Sequence, residues 1–464
     1  MNNEKILDSE SQIFGVPSST VLRDLGPDAV LSRQSQQESE VRSYPRRIPI
    51  AIERADGVIV TDTRGQQYLD CLAGAGTLAL GYNHPEINKA ITDALASGVP
   101  YQTLDLTTPT KDKFVQTLLG FLPKSFADNA KIQFCGPSGA DGVEAAIKLA
   151  KQTTGRNTIF AFHGGYHGMT NGAMAMTGNL GAKERRTGLM ADVHFLPFPY
   201  GYRCPFGLGG DAGAWQSIRY IEHVLNDVES GIQKPAAIIV EPIQGEGGVI
   251  PAPAFWLQEL RRITKELDIL LIFDEIQCGI GKSGSHFAYE YSGIHPDILV
   301  MSKAVGGGLP LSVLAFDKSI DSWRPGEHTG TFRGNQLAMA TGAKALEIIQ
   351  RDNLVANAQA MGDRLTGHLL ELQKKHPCIG EVRGRGLMLG IEIVHPEQKN
   401  RFGQYLANGE RAIAIQRAAL ERGLIIEKGG RSGCVLRFLP PMIINSAQID
   451  FVADVIDQAI LATA

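Results

Sequence analysis

From about residue 131 to residue 316 the chain alternates short apolar runs with longer stretches whose apolar residues recur at helical spacing. This alternation predicts parallel strands joined by crossover helices, with helices near 141–151 and 254–267. Residues 197–213 are rich in Pro and Gly and predict a long surface loop. We therefore expect an α/β fold with a large, mostly parallel sheet. Its predicted strands are 131–135, 158–162, 236–240, 269–273, 298–301 and 312–316.

The sequence on either side of this region has a different pattern. Residues 57–62 and 67–70 predict two strands joined by a short turn, which is a hairpin and not a crossover unit. After Asn335 two long helical patterns, a few strands and a closing helix are predicted, which indicates an α+β domain. The predicted divisions are a loosely ordered lead-in (1–40), the N-terminal part of a small domain (41–75), a large domain (76–335) and a C-terminal small domain (336–464).

Composition narrows the class of partner. The 464 residues include 45 Lys and Arg and 49 Asp and Glu, so the formal net charge of −4 gives no basic surface for nucleic acid. The six cysteines contain no CxxC pair, which favours reduced thiols in a cytoplasmic protein over disulfides or a zinc site. The first residues do not show a basic region followed by an apolar one, and no run of about 18 apolar residues occurs, so neither secretion nor a membrane span is expected. A small-molecule partner is favoured over nucleic acid or a membrane.

Two predicted strands end in residues of unusual chemistry. The apolar run 269–273 ends in Asp274, and the run 298–301 is followed by Lys303 and a glycine-rich stretch. The carboxyl ends of parallel strands border the ligand crevice of an open sheet, so an acid and an amine are expected to face one bound molecule. A structural ion pair between Asp274 and Lys303 is the alternative.

The loop Gly136–Gly142 follows one predicted strand and opens a helix. Its small residues and the hydroxyl of Ser138 suit a phosphate at a helix start, although an ordinary N-cap turn has the same composition. It has neither the GKS/T of a P-loop nor GxGxxG, so the pattern alone does not separate these two alternatives.

Two further loops follow strands. In 163–170, Tyr166 or His167 is a candidate for stacking on a planar ring, whereas a metal pair of His163 with His167 is disfavoured by the glycines between them. In 240–248, two acids follow a strand, and general acid/base chemistry, a hydrogen bond to a cofactor and pairing with an Arg all stay open for them.

A phosphate loop, a stacking aromatic, an acid and a lysine together match the groups of pyridoxal phosphate. From about residue 41 onward, the chain resembles the fold-type I, class III aminotransferases. Further motifs are similar to those of diaminobutyrate:2-oxoglutarate aminotransferases: ESEVRSYPRRIPIAI (38–52), LAGAGTLALGYNHP (72–85), QTLDLTTPTKD (102–112) and EHTGTF (327–332). The class III motifs are PSGADGVEAAIKLA (137–150), GGYHGMT (164–170), EPIQGEGG (241–248), FDEIQCGIGKSG (273–284), MSKAVGGGLPL (301–311) and GTFRGNQLA (330–338).

The resemblance implies roles for individual residues. Lys303 would join the cofactor aldehyde and then move the substrate proton, and Asp274 would hold the ring nitrogen protonated. The phosphate would be held by Ser138, Gly139 and Ala140, and by Thr331 from the partner subunit of a homodimer. Of the remaining ring contacts, stacking would come from Tyr166 and a hydrogen bond to the ring hydroxyl from Gln277.

The resemblance also implies a dual-substrate site. Arg437 would bind the glutamate α-carboxylate and otherwise pair with Glu246. The implied reaction moves the terminal amino group of L-2,4-diaminobutyrate to 2-oxoglutarate; an ornithine-type or 4-aminobutyrate-type donor and an aminomutase are the alternatives. Two departures stand out: Asp141 is one methylene shorter than the Glu of many relatives, and Met169 stands where ornithine-type relatives have Arg. The residue that binds the distal carboxylate is therefore unassigned.

Overall fold

The computed structural model describes residues 15–464. Its strands are β1 (Ile52–Asp56), β2 (Ile59–Asp62), β3 (Gln67–Asp70), β4 (Ala130–Phe134), β5 (Ile159–Phe162), β6 (Val193–Leu196), β7 (Ala237–Val240), β8 (Ile243–Gln244), β9 (Ile250–Pro251), β10 (Leu270–Asp274), β11 (Ile298–Met301), β12 (Val313–Asp317), β13 (Ile379–Arg385), β14 (Met388–Lys399), β15 (Tyr405–Ala407), β16 (Leu424–Ile425), β17 (Glu427–Gly429) and β18 (Val435–Phe438).

The α-helices of the described residues complete the element order. They are α1 (Ala29–Gln37), α2 (Tyr44–Arg47), α3 (Ala73–Gly76), α4 (Pro85–Ala96), α5 (Pro109–Phe121), α6 (Lys124–Ala127), α7 (Gly139–Thr154), α8 (Asn171–Met176), α9 (Gly210–Asn226), α10 (Ala254–Glu266), α11 (Gln336–Arg351), α12 (Leu354–Lys375), α13 (Gly409–Glu421) and α14 (Ser446–Leu461). Short 3-10 turns occupy Ala288–Ser292, Lys303–Gly306, Lys318–Ile320, Thr331–Gly334 and Arg431–Gly433.

The chain forms two compact units. One unit is continuous and spans Pro85–Ala356, and the other combines the two ends of the chain, up to His84 and from Asn357 onward. Helix α11 belongs to the first unit, where it packs against α4 and α5, whereas the sequence pattern assigned it to the C-terminal domain. An apolar helix face predicts burial without identifying the surface that buries it.

The unit Pro85–Ala356 is built on a seven-stranded sheet with the order β4-β12-β11-β10-β7-β5-β6. The neighbours β11, β10, β7, β5 and β6 pair in parallel, while β12 is antiparallel to both β11 and β4. The fold-type I prediction of a mostly parallel sheet is therefore confirmed. The pattern did not predict β6 or the reversed direction of β12, because an apolar strand has the same sequence signature in either direction.

Crossover helices bury one face of this sheet. Helix α7 is capped at its N-terminus by Ser138, whose hydroxyl accepts a hydrogen bond from the Asp141 amide. At its C-terminus it is capped by Gly155, in the left-handed conformation that favours glycine (φ 67°). Its buried side chains pack against the strands in one hydrophobic core that includes Val143, Ala146, Ile147, Ile239 and Ile272. This packing fixes the start of α7 beside the strand ends.

The unit formed by the chain ends contains two sheets. A four-stranded sheet has the order β1-β2-β3-β16, and a second has the order β13-β14-β18-β17 with β15 paired to β14. Buried Val60, Tyr68, Leu420 and Ile425 form one core cluster beneath the first sheet. The antiparallel pairing of β2 with β3 agrees with the predicted hairpin.

Several predicted loops are more ordered than the sequence indicated. Helix α9 begins at Gly210, inside the predicted loop 197–213. Helix α1, capped by the Asp28 carboxylate, lies within the predicted lead-in 1–40, of which residues 1–14 lie outside the described residues. A short amphipathic helix in a polar stretch gives a weak periodic signal. In the described chain, no helix combines the length and apolar character needed to cross a bilayer.

Candidate active site

A cavity of about 230 Å³ lies at the carboxyl ends of the sheet's parallel strands. Its walls come from loops that follow β4, β5, β7, β10 and β11, which is where open α/β sheets bind their ligands. The lining residues are Gly139, Ala140, Tyr166, His167, Gly168, Met169, Glu241, Glu246, Asp274, Ile276, Gln277 and Lys303.

Asp274 is the last residue of β10 and is held by neighbours on both oxygens. One oxygen, Oδ2, lies 2.8 Å from Nδ1 of His167, and the other accepts a hydrogen bond from the Ile276 amide at 3.1 Å. Asp274 is 3% exposed and His167 is 2% exposed. Since an acid buried this deeply needs hydrogen-bond partners, His167 fixes the carboxylate in a defined orientation at the cavity wall.

Lys303 is presented by a strained turn. β10 and β11 pair in parallel with Asp274 level with Val300, so Lys303 follows three residues further along the neighbouring strand. Its φ of 51° is unusual for a residue with a side chain and costs on the order of 1–3 kcal/mol. The Ser302 hydroxyl donates to the Leu311 carbonyl at 2.7 Å and closes the loop behind the turn. The backbone therefore fixes where this side chain starts.

The loop before α7 leads into a helix start, a feature that suits an anion. The first amides of a helix have no intrahelical acceptor and point along the axis toward its N-terminus. A Cβ placed on Gly139 would lie 2.8 Å from Cδ1 of Ile276, and one on Gly168 would lie 2.6 Å from Cβ of Ala140. These close approaches require small residues at positions 139 and 168, and Gly139 and Ala140 both line the cavity.

Glu241 is a buried acid that shapes two loops of the cavity. Its carboxylate accepts from the Tyr166 amide at 2.8 Å and from the Gly245 amide at 2.9 Å. Burial raises the pKa of Glu241 to about 7, with nearby His167 lowering it and Asp274 raising it. The pKa of the Tyr166 hydroxyl is raised by burial and then by the charges of Glu246, Glu241 and Asp274.

The structure brings most predicted site residues to this one cavity. Gly139, Ala140, Tyr166, Glu246, Asp274, Gln277 and Lys303 all line it. Three others do not line it: Ser138 caps α7, Thr331 is exposed in a 3-10 turn, and Arg437 is a buried residue of β18 in the other unit.

Sequence reasoning did not find three contributions to the site. His167 was considered for stacking or a metal, but it pairs with Asp274. Ile276 was not singled out, although its place two residues after Asp274 puts an apolar side chain on the same wall. Glu241 was noticed as an acid, and its bonds to two backbone amides became visible only in the folded chain.

Comparison with known proteins identifies the family. Residues 41–460 match the family model described as Aminotransferase class-III. A Rhizobium meliloti protein named diaminobutyrate–2-oxoglutarate aminotransferase is 54% identical over 91% of this chain and 90% of its own. A Haemophilus influenzae protein of the same name is 57% identical over 90% of this chain and 92% of its own.

Solved structures give the same result for the fold. An amine transaminase from an uncultivated Pseudomonas species, in a PLP-bound form, superposes with a TM-score of 0.83 at 28% identity and covers 92% of this chain and 98% of that one. A Bacillus anthracis aminotransferase gives 0.83 at 26% identity, covering 93% and 98%. The fold and the cavity define a fold-type I transferase that uses pyridoxal 5'-phosphate. The chain belongs to the class III aminotransferases.

The residues present fit this cofactor. A helix start faces the cavity for a phosphate, a buried Asp–His pair is available for a basic ring nitrogen, and a lysine is available for the aldehyde. Tyr166 and Ile276 also line the cavity, and a flat aromatic side chain and an apolar one suit a planar ring.

Proposed function

We propose that this enzyme transfers the terminal amino group of L-2,4-diaminobutyrate to 2-oxoglutarate, giving aspartate 4-semialdehyde and glutamate in a reversible reaction. The observation that carries this proposal is the 54% and 57% identity, over 90% or more of both chains, to two proteins named for this pair of substrates. The family membership alone supports amino transfer without selecting the donor.

In the proposed mechanism, Lys303 is the proton carrier. Pyridoxal phosphate, when bound, supplies an aldehyde and a ring that withdraws electrons from the reacting carbon. To accept a proton from that carbon, the Lys303 amine must be neutral, which requires a site that disfavours its charged form. The Lys303 backbone is fixed and its side chain lines the cavity, so its amine would take the proton from the substrate carbon and deliver it to the carbon of the cofactor aldehyde within this cavity.

Asp274 is the proposed partner of the cofactor's ring nitrogen. A carboxylate there keeps a pyridine nitrogen protonated, and the protonated ring accepts electron density most effectively. His167 holds the carboxylate by a hydrogen bond of 2.8 Å. We assign His167 as a positioning residue for Asp274.

The other cofactor contacts are proposed from the cavity walls. Gly139 and Ala140 offer amides to the phosphate, and Ser138 offers a hydroxyl at the start of the same helix. Tyr166 would stack on the ring and Gln277 would bond the ring hydroxyl; both line the cavity.

A homodimer is proposed, with Thr331 of each chain completing the phosphate site of its partner. Tyr101, Leu104, Leu106 and Phe332 are between 51% and 70% exposed, which is an unusual group of apolar side chains for a free surface. The backbone pairing of Gln102 with Asn335 holds their two segments together. Sedimentation at micromolar concentration should give twice the mass of one chain, and Leu106→Asp should shift the protein toward monomer.

Glu246 and Arg437 are the proposed residues for the two substrates. Glu246 lines the cavity, and Arg437 is 1% exposed in β18. We propose that Arg437 binds the glutamate α-carboxylate and pairs with Glu246 when the diamine is bound. Glu246→Gln should then slow the diaminobutyrate half-reaction more than the glutamate half-reaction; equal effects on both, in stopped-flow measurements, would contradict this alternation.

A cytoplasmic location is proposed from thiol chemistry. Six cysteines lie within the described residues, where they are buried and form no disulfide: Cys71, Cys135, Cys204, Cys278, Cys378 and Cys434. Reduced thiols suit the reducing cytoplasm.

The reaction is tested by following glutamate formation from 2-oxoglutarate with a panel of donors. Diaminobutyrate should give the highest kcat/KM, ahead of ornithine and 4-aminobutyrate, and Lys303→Ala should abolish the signal. A preference for another donor would replace the proposed substrate. An aminomutase would isomerise its substrate without any need for 2-oxoglutarate.

A further inference from the structure

We propose that Asp141 and His328 form a positioning pair, through which the phosphate loop of one chain holds the segment that carries Thr331. The inference rests on the proposed function, because it takes Thr331 as a residue given to the partner's cofactor site. It assigns a role to two residues that lie outside the lining of the cavity.

The carboxylate of Asp141 joins two separate loops. Its Oδ2 atom lies 2.5 Å from the Gly136 amide and 3.2 Å from Nε2 of His328. Gly136 opens the loop that ends at the Ser138 cap, whereas His328 is 187 positions from Asp141 in the sequence. The His328 side chain is 9% exposed and the Asp141 side chain is 35% exposed, so the histidine shields the contact from solvent on one side only.

The neighbours of His328 determine which nitrogen carries its proton. The Lys148 ammonium lies 3.3 Å from Nδ1, and an ammonium group can only donate. Nδ1 therefore accepts, and Nε2 carries the hydrogen that is donated to Asp141. Asp141 and Lys148 are seven residues apart, which places them on one face of α7 two turns apart. The imidazole of His328 lies between the side chains of Asp141 and Lys148 and contacts both.

Other contacts hold the same segment along that helix face. Lys148 donates to the Glu327 carbonyl at 2.9 Å, and Gln152 donates to the Glu327 carboxylate at 2.8 Å. At the far end, Gly330 lies beside Gly136: a Cβ added to Gly330 would be 3.5 Å from the Gly136 nitrogen, which is ordinary van der Waals contact. Thr331 is the next residue, so the segment that carries it lies beside the loop that begins at Gly136.

The short side chain of Asp141 fits this arrangement. Glu in its place, as in many similar enzymes, would extend the carboxylate by one methylene and could not keep both contacts without moving the segment. Asp141→Glu therefore tests the arrangement closely, since it keeps the negative charge and changes only the length of the side chain.

The same atoms also come close to a thiol. Cys135, Asp141 and His328 offer potential metal-binding atoms within 4.8 Å of one another. Burial raises the pKa of the Cys135 thiol, which disfavours the thiolate that a metal needs, and both His328 nitrogens already have hydrogen-bond partners. The geometry favours a hydrogen-bonded pair over a metal centre.

The first measurement is the dissociation constant of pyridoxal phosphate for full-length apoprotein, followed by absorbance. His328→Ala and Asp141→Asn should each weaken binding about tenfold, the scale of one lost charge-assisted hydrogen bond. The double variant should be no weaker than either single one. His328→Gln, whose amide can still donate, should recover part of the affinity. His368→Ala, which removes a His–Asp bond of 2.8 Å in the other unit, is the matched control and should leave the constant unchanged.

The second measurement uses mixed dimers with one Lys303→Ala chain, so that a single site shows the cofactor–lysine absorbance. When His328→Ala is in the Lys303→Ala chain, the intact site receives the altered segment, and its cofactor affinity should fall about tenfold. When His328→Ala is in the chain with the intact Lys303, that site receives a normal segment and should bind as wild type.

The pairing would be overturned if the two mixed dimers had equal cofactor affinities or showed the opposite order. It would also be overturned if the losses of affinity in His328→Ala and Asp141→Asn added up in the double variant. Loss of affinity on treating wild type with a chelator would replace it with a metal centre. These readouts need no amino donor, so failure of the diaminobutyrate assay would count against the proposed function alone. A monomeric wild type would overturn the exchange of Thr331 and this inference together.

Discussion

Two adjacent acids at the end of β10, Asp274 and Glu275, lie in different surroundings, one at the cavity and the other in the protein core. Asp274 lines the cavity and contacts His167. Glu275 accepts from the amides of Ala288 and Tyr289 at 2.8 and 2.7 Å, away from the cavity lining. Glu275 follows the last residue of β10, and its amide still donates to the Val300 carbonyl of β11 at 3.0 Å. Adjacent side chains of extended backbone point to opposite faces, so one acid reaches the site and the next one the core.

The comparison shows that burial alone does not assign a role. Asp274 and Glu275 are 3% and 1% exposed. The partners of Glu275 are neutral amides and the Cys278 thiol, and burial raises the pKa of Glu275 to about 8. Asp274 instead has the imidazole of His167 as its partner. The group beside each acid therefore separates a catalytic candidate from a structural acid.

The largest effect is expected from Asp274→Asn. The amide keeps the size of the side chain and removes the charge that would hold the ring nitrogen protonated. We expect kcat to fall by at least about 10²-fold, the scale of losing one preorganised electrostatic partner. Steady-state rates with diaminobutyrate measure this, and Glu275→Gln in the same assay should stay within a few-fold of wild type. If the two variants lost equal activity, the distinction between the two sides would fail.

A smaller loss is expected from His167→Ala, which leaves Asp274 in the cavity without its imidazole partner. A misplaced functional group costs up to about 10²-fold in rate, and we expect less than that because the Ile276 amide still holds one oxygen. Stopped-flow absorbance should show slower proton transfer with the cofactor still bound. A wild-type rate would exclude a positioning role for His167.

Glu275→Gln should change stability more than activity. The pKa of Glu275 is raised from 4.5 to about 8, so its contribution to stability is complete below about pH 4.5 and is lost as the pH rises through 8. Between about pH 4.5 and 8, the free energy of unfolding that Glu275 contributes falls by at most about 1.4 kcal/mol per pH unit. Urea unfolding at pH 5, 6, 7 and 8 should show a flatter pH dependence for Glu275→Gln. Glu241, whose pKa is raised to about 7, titrates in the same direction and keeps part of the slope in both proteins.

The smallest effect is expected from Cys278→Ala. The thiol lies 3.6 Å from the Glu275 carboxylate, within the range of a weak sulfur hydrogen bond. Its loss should cost about 1 kcal/mol in the free energy of unfolding, with kcat unchanged. A change in kcat would mean that the contact between Cys278 and Glu275 affects the residues that line the cavity.

The sequence predicted the strands that deliver the site. The apolar runs that end at Asp274 and precede Lys303 are β10 and β11, and they pair in parallel as neighbours. The Gly136–Gly142 loop opens a helix whose first residues line the cavity. These features were predictable because a buried strand must be apolar throughout and its end is marked by the first polar residue.

Contacts between distant parts of the chain were not predictable. His167 and Asp274 are separated by 107 positions, and Asp141 and His328 by 187. Whether such residues meet depends on strand order and direction, and the periodicity of one segment carries neither. The sheet order, with β12 reversed between β11 and β4, determines these distances.

The sequence by itself determined the chemical groups of this protein and the family to which they belong, since motif spacing is a local property of the chain. Only the tertiary structure decided which group each acid meets. Asp274 meets an imidazole, Glu241 and Glu275 meet backbone amides, and Asp141 bridges two loops. The physical reason is that hydrogen bonds and burial act over a few ångströms of space, regardless of the distance along the sequence.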